Sequence, residues 1–352
     1  MKCALFTFEH EPREVARTTI DCAGAAGRAR VADWVAGRSD GATLATIGHR
    51  IVHGGARFRE PTRVSPALVG ALRELVPFAP NHLPDEIALI DALRTEWPDV
   101  PQIACFDTAF HADLPDVART LPIPRAYAAD GVRRYGFHGL SFTFLVQELQ
   151  RSSGSPPERV VLAHLGNGSS LAAVRRGRSI DTTMAFTPIG GVVMSTRSGD
   201  LDPGVITFIA RRDRLNPDQL EDLLSHQSGL LGVSDGTSDM RGLLERETQD
   251  AACALAVAMY VYSVKKAIGS LAAALGGLDA IVFSGGIGEH SATLRRRICD
   301  GLQFLGVEIT DERNAAHGRT ISAPAARVAV HVIPTNEEIV IARSAYAIAG
   351  PR

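Results

Sequence analysis

The residues best suited to chemistry lie between Met194 and Gly204, in the run Met-Ser-Thr-Arg-Ser-Gly-Asp-Leu-Asp-Pro-Gly. One cation, Arg197, stands among small residues that let another group come close. Arginine grips a carboxylate or a phosphate with two parallel hydrogen bonds. Asp200 and Asp202 follow, then Pro203, a residue that can open a helix. For a lone arginine, a surface salt bridge is the ordinary reading. A polar loop of this length in an otherwise apolar chain points to binding instead. Just upstream runs Asp181-Thr-Thr-Met-Ala-Phe-Thr-Pro188.

Further stretches carry matching chemistry. Asp107-Thr-Ala-Phe-His111 follows the apolar run Gln102–Phe106. That places Asp107 at the carboxyl end of a buried strand, where α/β sheets keep their ligand crevice. The plainer alternative is an acid capping a turn. Arg133 to Ser141 sets His138 among Arg134, Gly136 and Gly139; a lone histidine would be read as a core residue. His164-Leu-Gly-Asn-Gly-Ser-Ser170 reads as a turn between two strands whose amides form a concave nest for phosphate. An ordinary hairpin would need no more than Asn167-Gly168. Ser284-Gly-Gly-Ile-Gly-Glu-His290 lies between a strand and a helix, a nucleotide-type arrangement, although it is not the GxGxxG pattern. His49, His53, His111 and His164 lack metal-ligand spacing, which argues against a zinc hydrolase.

These groups need elements to hold them. The pattern predicts strands at Cys3–Phe8, Thr43–His53, Gln102–Phe106, Val160–Ala163, Leu171–Val174, Ser179–Thr183, Asp279–Phe283 and Arg327–Ile333. Helices are expected over Ser65–Phe78 (capped by Ser65), Asp85–Glu96, Phe142–Gln150, Asp218–Leu224, Ala251–Leu275, Ser291–Gly301 and Ile339–Ala349. Val15–Trp34 reads as helical or irregular, and Ser225–Asp239 as a polar loop. Strands alternating with helices argue for an α/β architecture.

Composition bounds the rest. The 352 residues suffice for two domains, and 45% hydrophobic with 22% charged residues is the balance of a globular protein. A formal charge of −2 gives no support for general nucleic-acid or membrane-surface binding. The 5 cysteines are scattered and form no CxxC pair, which fits a reducing cytoplasm. The start of the chain has no secretory pattern. Lys265-Lys266 interrupts the most apolar helix, which reads as a core helix and not a membrane span.

Taken in order, Gly48-His-Arg-Ile-Val-His-Gly-Gly55, Phe106-Asp-Thr-Ala-Phe-His111, Arg134-Tyr-Gly-Phe-His-Gly139, His164-Leu-Gly-Asn-Gly168, Thr196-Arg-Ser-Gly-Asp-Leu-Asp-Pro203, Ser238-Asp-Met-Arg241, Gly285-Gly-Ile-Gly-Glu289 and Pro334-Thr-Asn-Glu-Glu338 resemble the motifs of the acetate kinase family over nearly the whole chain. The resemblance implies a two-domain actin-like ATPase (ribonuclease H-like) α/β fold, with mixed sheets flanked by helices and a cleft between domains. The domains would be 1–108 with 339–352, and 109–338 for nucleotide binding. It implies reversible transfer of the γ-phosphate of ATP to acetate, giving acetyl phosphate and ADP. Mg²⁺ (or Mn²⁺) would assist, and a cytoplasmic homodimer is implied.

By the same resemblance Asp107, His138 and Arg197 are catalytic. Arg50 and Arg197 hold the substrate carboxylate and the phosphoryl group, and His138 stabilises the transition state. Val52, Phe137 and Pro188 line a small apolar pocket for the acetate methyl, with Asn81 and His82 beside them. His164, Leu165, Gly166, Asn167 and Gly168 form a phosphate loop. Asp239, Met240 and Arg241, with Gly286, Ile287, Gly288, Glu289 and His290, contact the nucleoside, and Glu337 serves the metal. The chemistry agrees independently: a carboxylate nucleophile is already ionised at neutral pH, so no general base is required.

The sequence departs from that family in places. The family opens with a strand and an Asn-x-Gly-Ser-Ser-Ser-x-Lys turn; here Met1-Lys2-Cys-Ala-Leu-Phe6 aligns with the lysine and the strand after it. The expectation is a chain that begins further upstream, since the other site residues are intact. Ala79-Pro-Asn-His-Leu-Pro-Asp-Glu86 stands where the family reads Ala-Pro-Leu-His-Asn-Pro-x-Asn, so Asn81 brings a polar group to a methyl pocket and implies a longer or more polar acid. His290 replaces an asparagine. A propionate or butyrate kinase is the alternative within this chemistry. A nucleotide binder without kinase activity is the alternative outside it.

Overall fold

The computed structural model describes residues 2–8, 11–20, 24–38 and 43–350. It divides into two compact units: Met1–Ala112 with Gly139–Phe144 and Asn336–Arg352, and Asp113–His138 with Leu145–Thr335.

In the first unit, β1 (Lys2–Phe8) pairs antiparallel with β2 (Pro12–Thr19). A second sheet holds β3 (Ile47–Ile51), β4 (Thr62–Arg63) and β5 (Gln102–Phe106) in the order β3-β5-β4. β3 runs parallel to β5, with Ile51 opposite Phe106, so both strands release their chains at one edge. All of β5 is buried, Gln102 against His49 and the apolar run Ile103–Phe106 after it, as fits a central strand covered on both faces. Ile103 and Cys105 pack with Leu140 and with Val340 and Ala345 of the terminal helix Glu337–Ala349. That helix lies so close to β3 that a side chain at Gly48 would come within 2.3 Å of Ile341 Cγ2. The helix Pro66–Glu74 starts where expected, with Ser65 accepting from Leu68 N at 3.2 Å.

The second unit is built on a mixed sheet. β6 (Arg159–Leu165), β7 (Ser169–Arg175) and β8 (Arg178–Thr182) form an antiparallel meander. β9 (Ala280–Ser284) and β10 (Ala329–Val332) extend it in parallel, giving the order β10-β9-β6-β7-β8. The helix Ala251–Leu275 packs on β6 and β7. It buries Ala256, Tyr260, Val264, Ile268, Leu271 and Leu275 at helical spacing. Each fully buried Leu or Ile there contributes roughly 1.5–3 kcal/mol. The helix is long and apolar enough to pass for a membrane span, yet this face is core. Asp250 caps its start through Ala252 N at 2.9 Å, and Gly276 ends it at φ 71°.

Mixed sheets flanked by helices are as anticipated; several local expectations are corrected. Within Val15–Trp34, the segment to Thr19 is strand and Gly24–Ala36 is helix, with residues 21–23 outside the described set. β2 reads Pro-Arg-Glu-Val-Ala-Arg-Thr-Thr, a weak apolar signal. Ser225–Asp239 contains the helix Gly229–Ser234. Gly285–His290 is a short helix and not an open loop. His164, Leu165, Ser169 and Ser170 belong to strands, which narrows the turn to 166–168.

Candidate active site

The shared edge of β3 and β5 gathers charge. Asp107 N donates to Ile51 O at 2.9 Å, carrying the ladder one residue past the strands. The Asp107 side chain is buried; its Oδ2 accepts from Arg50 Nη2, and its Oδ1 has no hydrogen-bond partner among the described residues. Glu337, in the first turn of the helix capped by Asn336, brings Oε2 to 3.9 Å from Arg50 Nε. Glu86, in the first turn of the helix Leu83–Glu96, accepts from Val52 N with both carboxylate oxygens, at 3.0 and 3.2 Å. The half-exposed Arg50 thus pairs with Asp107 and Glu337, and its charge also reaches Glu86. Burial, reinforced by the charge of Asp107, pushes Glu337 up to about 7. Burial alone dominates for Glu86, also raised to about 7. Asp107 in turn lifts Arg50 further above its ordinary value. Such an excess of buried negative charge is relieved by a cation.

The neighbouring backbone is closely fitted. Gly139 N donates to Asp107 O at 2.9 Å, and a Cβ at Gly139 would stand 2.2 Å from that oxygen. Gly54 N donates to Thr108 Oγ1 at 3.0 Å. His49 lies buried against Gln102 Oε1 at 2.8 Å, and burial lowers it to about 4, so it is neutral. His53 is buried edge-on to Phe78 and accepts from Gly55 N at 2.9 Å. Both are core histidines. Val52 is buried, whereas Asn81 and His82 are exposed, His82 at the N-cap position of its helix. The neighbouring departure, Leu83, is wholly buried.

The second unit presents a different set. His138 sits at φ 57°, its Nδ1 2.8 Å from Ser170 Oγ and its ring stacked on His164 with centroids 4.3 Å apart. A Cβ at Gly168 would lie 3.3 Å from both His138 Nε2 and Arg197 Nη1, so imidazole and guanidinium converge on the glycine turn. Arg197 Nη1 donates to Pro188 O at 3.2 Å. Its loop is stapled: Ser195 N donates to Asn167 O, Ser228 N to Thr196 O, Leu230 N to Met194 O and Leu231 N to Ser195 O, all at 2.9–3.2 Å. Asp200 accepts from Gly191 N at 2.7 Å, and Asp202 caps the helix Pro203–Asp213. Those two acids support the loop. Phe137 is buried and Pro188 partly so.

Beside this turn lies the glycine segment after β9. The missing Cβ of Gly166 would be 4.0 Å from Gly286 N, and Gly285, at φ 75°, passes too close to Leu165 O to carry a side chain. Gly286 is exposed, with nothing within 4 Å of its absent Cβ. Glu289 turns back: Oε1 accepts from Gly285 N at 2.8 Å, Thr335 N at 3.1 Å and Ser284 Oγ at 3.3 Å. His290 and Arg241 are exposed, Met240 is buried, and Asp239 accepts from Gly242 N at the start of the helix Met240–Arg246. Sequence reasoning missed Glu86, and placed Ser170 in the phosphate turn without its contact to His138. Ser170 had a signal, its cross-strand register with His164. Glu86 had none, because the contact with Val52 is purely tertiary.

The model of the Acetokinase family matches residues 22–343. An acetate kinase of Rhodopseudomonas palustris is 47% identical over 311 residues, 87% of this chain and 77% of the relative. The crystal structure of Porphyromonas gingivalis acetate kinase superposes with a TM-score of 0.86 at 34% identity, over 92% of this chain and 85% of that one. A propionate kinase from Francisella tularensis gives 0.86 at 34% identity, over 90% and 82%.

Proposed function

This chain belongs to the acetokinase family, and we propose that it moves the γ-phosphoryl group of ATP reversibly onto the carboxylate of acetate. It is a phosphotransferase with a carboxyl acceptor. The observation that carries the reading is the convergence of His138 Nε2 and Arg197 Nη1 on the side-chain-free turn at Gly168. Two donors aimed at one small space suit a phosphoryl group, whose transfer depends on positioning and positive charge.

In this reading an acetate oxygen forms a bond to the γ-phosphorus while the bond to the ADP oxygen breaks. No proton moves, since the acid is already ionised. Arg50 holds the acid's carboxylate, and Asp107 aims Arg50. The acyl-group roles carried over from the family fall on Val52, Asn81 and His82 in the first unit and on Phe137 and Pro188 in the second. Arg197 and His138 hold the phosphoryl oxygens, with Ser170 fixing the imidazole. His164 to Gly168 cradle the remaining phosphates, while Gly286 to His290 and Asp239 to Arg241 meet the nucleoside. Glu289, already bonded to its own loop, braces that segment. Mg²⁺ fits the first unit: Asp107 Oδ1 is a buried acceptor in need of a partner, and Glu337 stands across Arg50. Mg²⁺ commonly binds through one or two carboxylates and the phosphates of its substrate. Bound there, Mg²⁺ would neutralise charge on the β- and γ-phosphates.

We assign the protein to the cytoplasm, supported by the free thiols Cys105, Cys253 and Cys299 among the described residues. A homodimer is supported by Leu255, Met259 and Tyr262, an exposed apolar stripe at i, i+4, i+7 on the helix Ala251–Leu275 that a second copy would cover. The test is acid-dependent acyl phosphate formation with Mg-ATP, trapped as the hydroxamate, across acetate, propionate, butyrate and a hydroxy acid. Acetate is expected to give the highest kcat/KM. A longer or hydroxylated acid in first place would move the assignment to that substrate. ATP binding without acid-dependent turnover would leave a nucleotide binder.

A further inference from the structure

Arg295, in the helix Ala292–Cys299, is wholly buried. Four of its guanidinium N–H groups donate to neutral acceptors. Nε donates to Asn314 Oδ1 at 2.9 Å. Nη1 donates to the carbonyls of Gly288 and Glu289, both at 2.8 Å. Nη2 donates to Asn314 O at 2.8 Å and lies 3.2 Å from His317 Nδ1. Asn314 is itself tied down, its Nδ2 donating to Ala292 O at 2.8 Å. No carboxylate is among these partners. Burying a cation without a counter-charge is unfavourable, and an apolar side chain would fill the volume without that penalty. The guanidinium therefore answers a need that packing alone does not.

That need is visible in the segment it holds. Gly285–His290 is a six-residue helix containing Gly285, Gly286 and Gly288. Such a sequence has little helical stability of its own. It is clamped from two sides. Glu289 grips the amides of Gly285 and Thr335, and Arg295 grips the carbonyls at the helix's far end, where a cation is favoured by the aligned peptide dipoles. Between the clamps, Gly286 faces open space.

We propose that Arg295 is a positioning residue for the nucleotide: through the carbonyls of Gly288 and Glu289 it sets the Gly285–His290 turn in the shape that receives the nucleoside, without touching the ligand. The inference rests on the reading of Gly286 to His290 as nucleoside contacts.

The experiment compares Arg295→Lys, Asn314→Ala and Gly286→Leu in the full chain. Its readouts are ADP affinity by calorimetry, KM for ATP and for acetate, and melting temperature. A lysine cannot span both carbonyls and Asn314, so R295K is expected to raise the ATP KM and ADP Kd roughly ten-fold or more, with the acetate KM changed by less than about two-fold. N314A leaves the carbonyl contacts in place and should show a smaller shift with the same selectivity. G286L tests the underlying reading, since its side chain points into open space; it should lose ADP with its melting temperature unchanged. Normal ADP binding by G286L would overturn the nucleoside reading itself. Loss in G286L with ADP affinity intact in R295K would overturn the role of Arg295 alone. A lowered melting temperature with both substrates affected alike would also overturn it, leaving Arg295 a plain core residue. Should R295K not fold, N314A decides on the same criteria.

Discussion

At the edge of β3 and β5 the polar groups are charged and outnumber their partners; at the edge of β6, β7 and β9 they are paired, mostly through neutral contacts. Arg50 faces Asp107, Glu337 and Glu86, and one buried carboxylate oxygen is left without a hydrogen bond. In the second unit Ser170 meets His138, Glu289 meets backbone amides, and the Arg197 loop is stitched to Asn167 and to residues 228–231. The first arrangement stores electrostatic tension that a cation relieves. The second stores shape. Changes of charge should therefore register most strongly in the first unit and changes of volume in the second.

The largest effect expected is that of Asp107→Asn, which keeps the shape and removes the charge. Acyl phosphate formation should fall by about three orders of magnitude or more, with unfolding in urea little changed. A variant within ten-fold of the parent would mean that Arg50 needs no anionic partner, and the contrast would lose its first half. The matching probe of the second unit is Gly229→Ala. Gly229 sits at φ 61°, and a Cβ there would come within 2.2 Å of Met194 O. The Arg197 loop must shift to admit it, at a stability loss of about 2–4 kcal/mol with a parallel fall in kcat. An unshifted urea midpoint would show that this loop yields and is not held in place by its backbone hydrogen bonds.

Charge and shape also separate by pH. Glu86 titrates at an ordinary 4.5 when unfolded and at about 7 when folded. Between those values the folded protein keeps a proton that the unfolded chain has lost, so stability declines as pH rises from about 4.5 to about 7 and then levels off. Glu337 adds a decline of the same sign. Glu86→Gln should flatten part of the slope and leave the variant more stable than the parent at pH 8, by on the order of 1–2 kcal/mol. Urea titrations at pH 5 and pH 8, with chelator present, test this. An E86Q slope as steep as the parent's would remove Glu86 from the account.

The two regions were unequally legible in the sequence. β5 and the helix Ala251–Leu275 could be read to the residue, because the apolar run Ile103–Phe106 after Gln102 and a long 3.6-residue period leave little choice. Arg50, Asp107, His138 and Arg197 were singled out by motif, and within each unit they lie together: Arg50 against Asp107, and His138 with Arg197 at the Gly168 turn. What escaped depends on contacts distant in sequence. The helix Gly229–Ser234 hides in a polar Gly/Ser stretch, and its first amides are held by Met194 and Ser195 carbonyls. Gly285–His290 looks like a loop because its glycines oppose helix formation, and the clamps that fold it, Arg295 and Glu289, act through tertiary contacts. Glu86 is an unremarkable helix-start acid until Val52 is placed against it.

The smallest effect expected is also the most discriminating. Ser170 and His164 face each other across the β6–β7 hairpin, and the His138 ring rests on that rung, stacked on one and hydrogen-bonded to the other. Ser170→Ala removes the hydrogen bond and keeps the stack. If the second unit works by shape, the ring loses its orientation but not its place, and kcat should fall only about three- to ten-fold, with the acetate KM unchanged. Because Ser170 is buried, a stability loss of about 1 kcal/mol accompanies it. A fall as deep as that of D107N would make the hydroxyl a participant in the chemistry, and the second unit would then depend on individual polar groups as the first does. No fall at all would mean that stacking on His164 suffices to aim Nε2. The intermediate result alone fits an imidazole held by two weak restraints, each of which the other can partly replace.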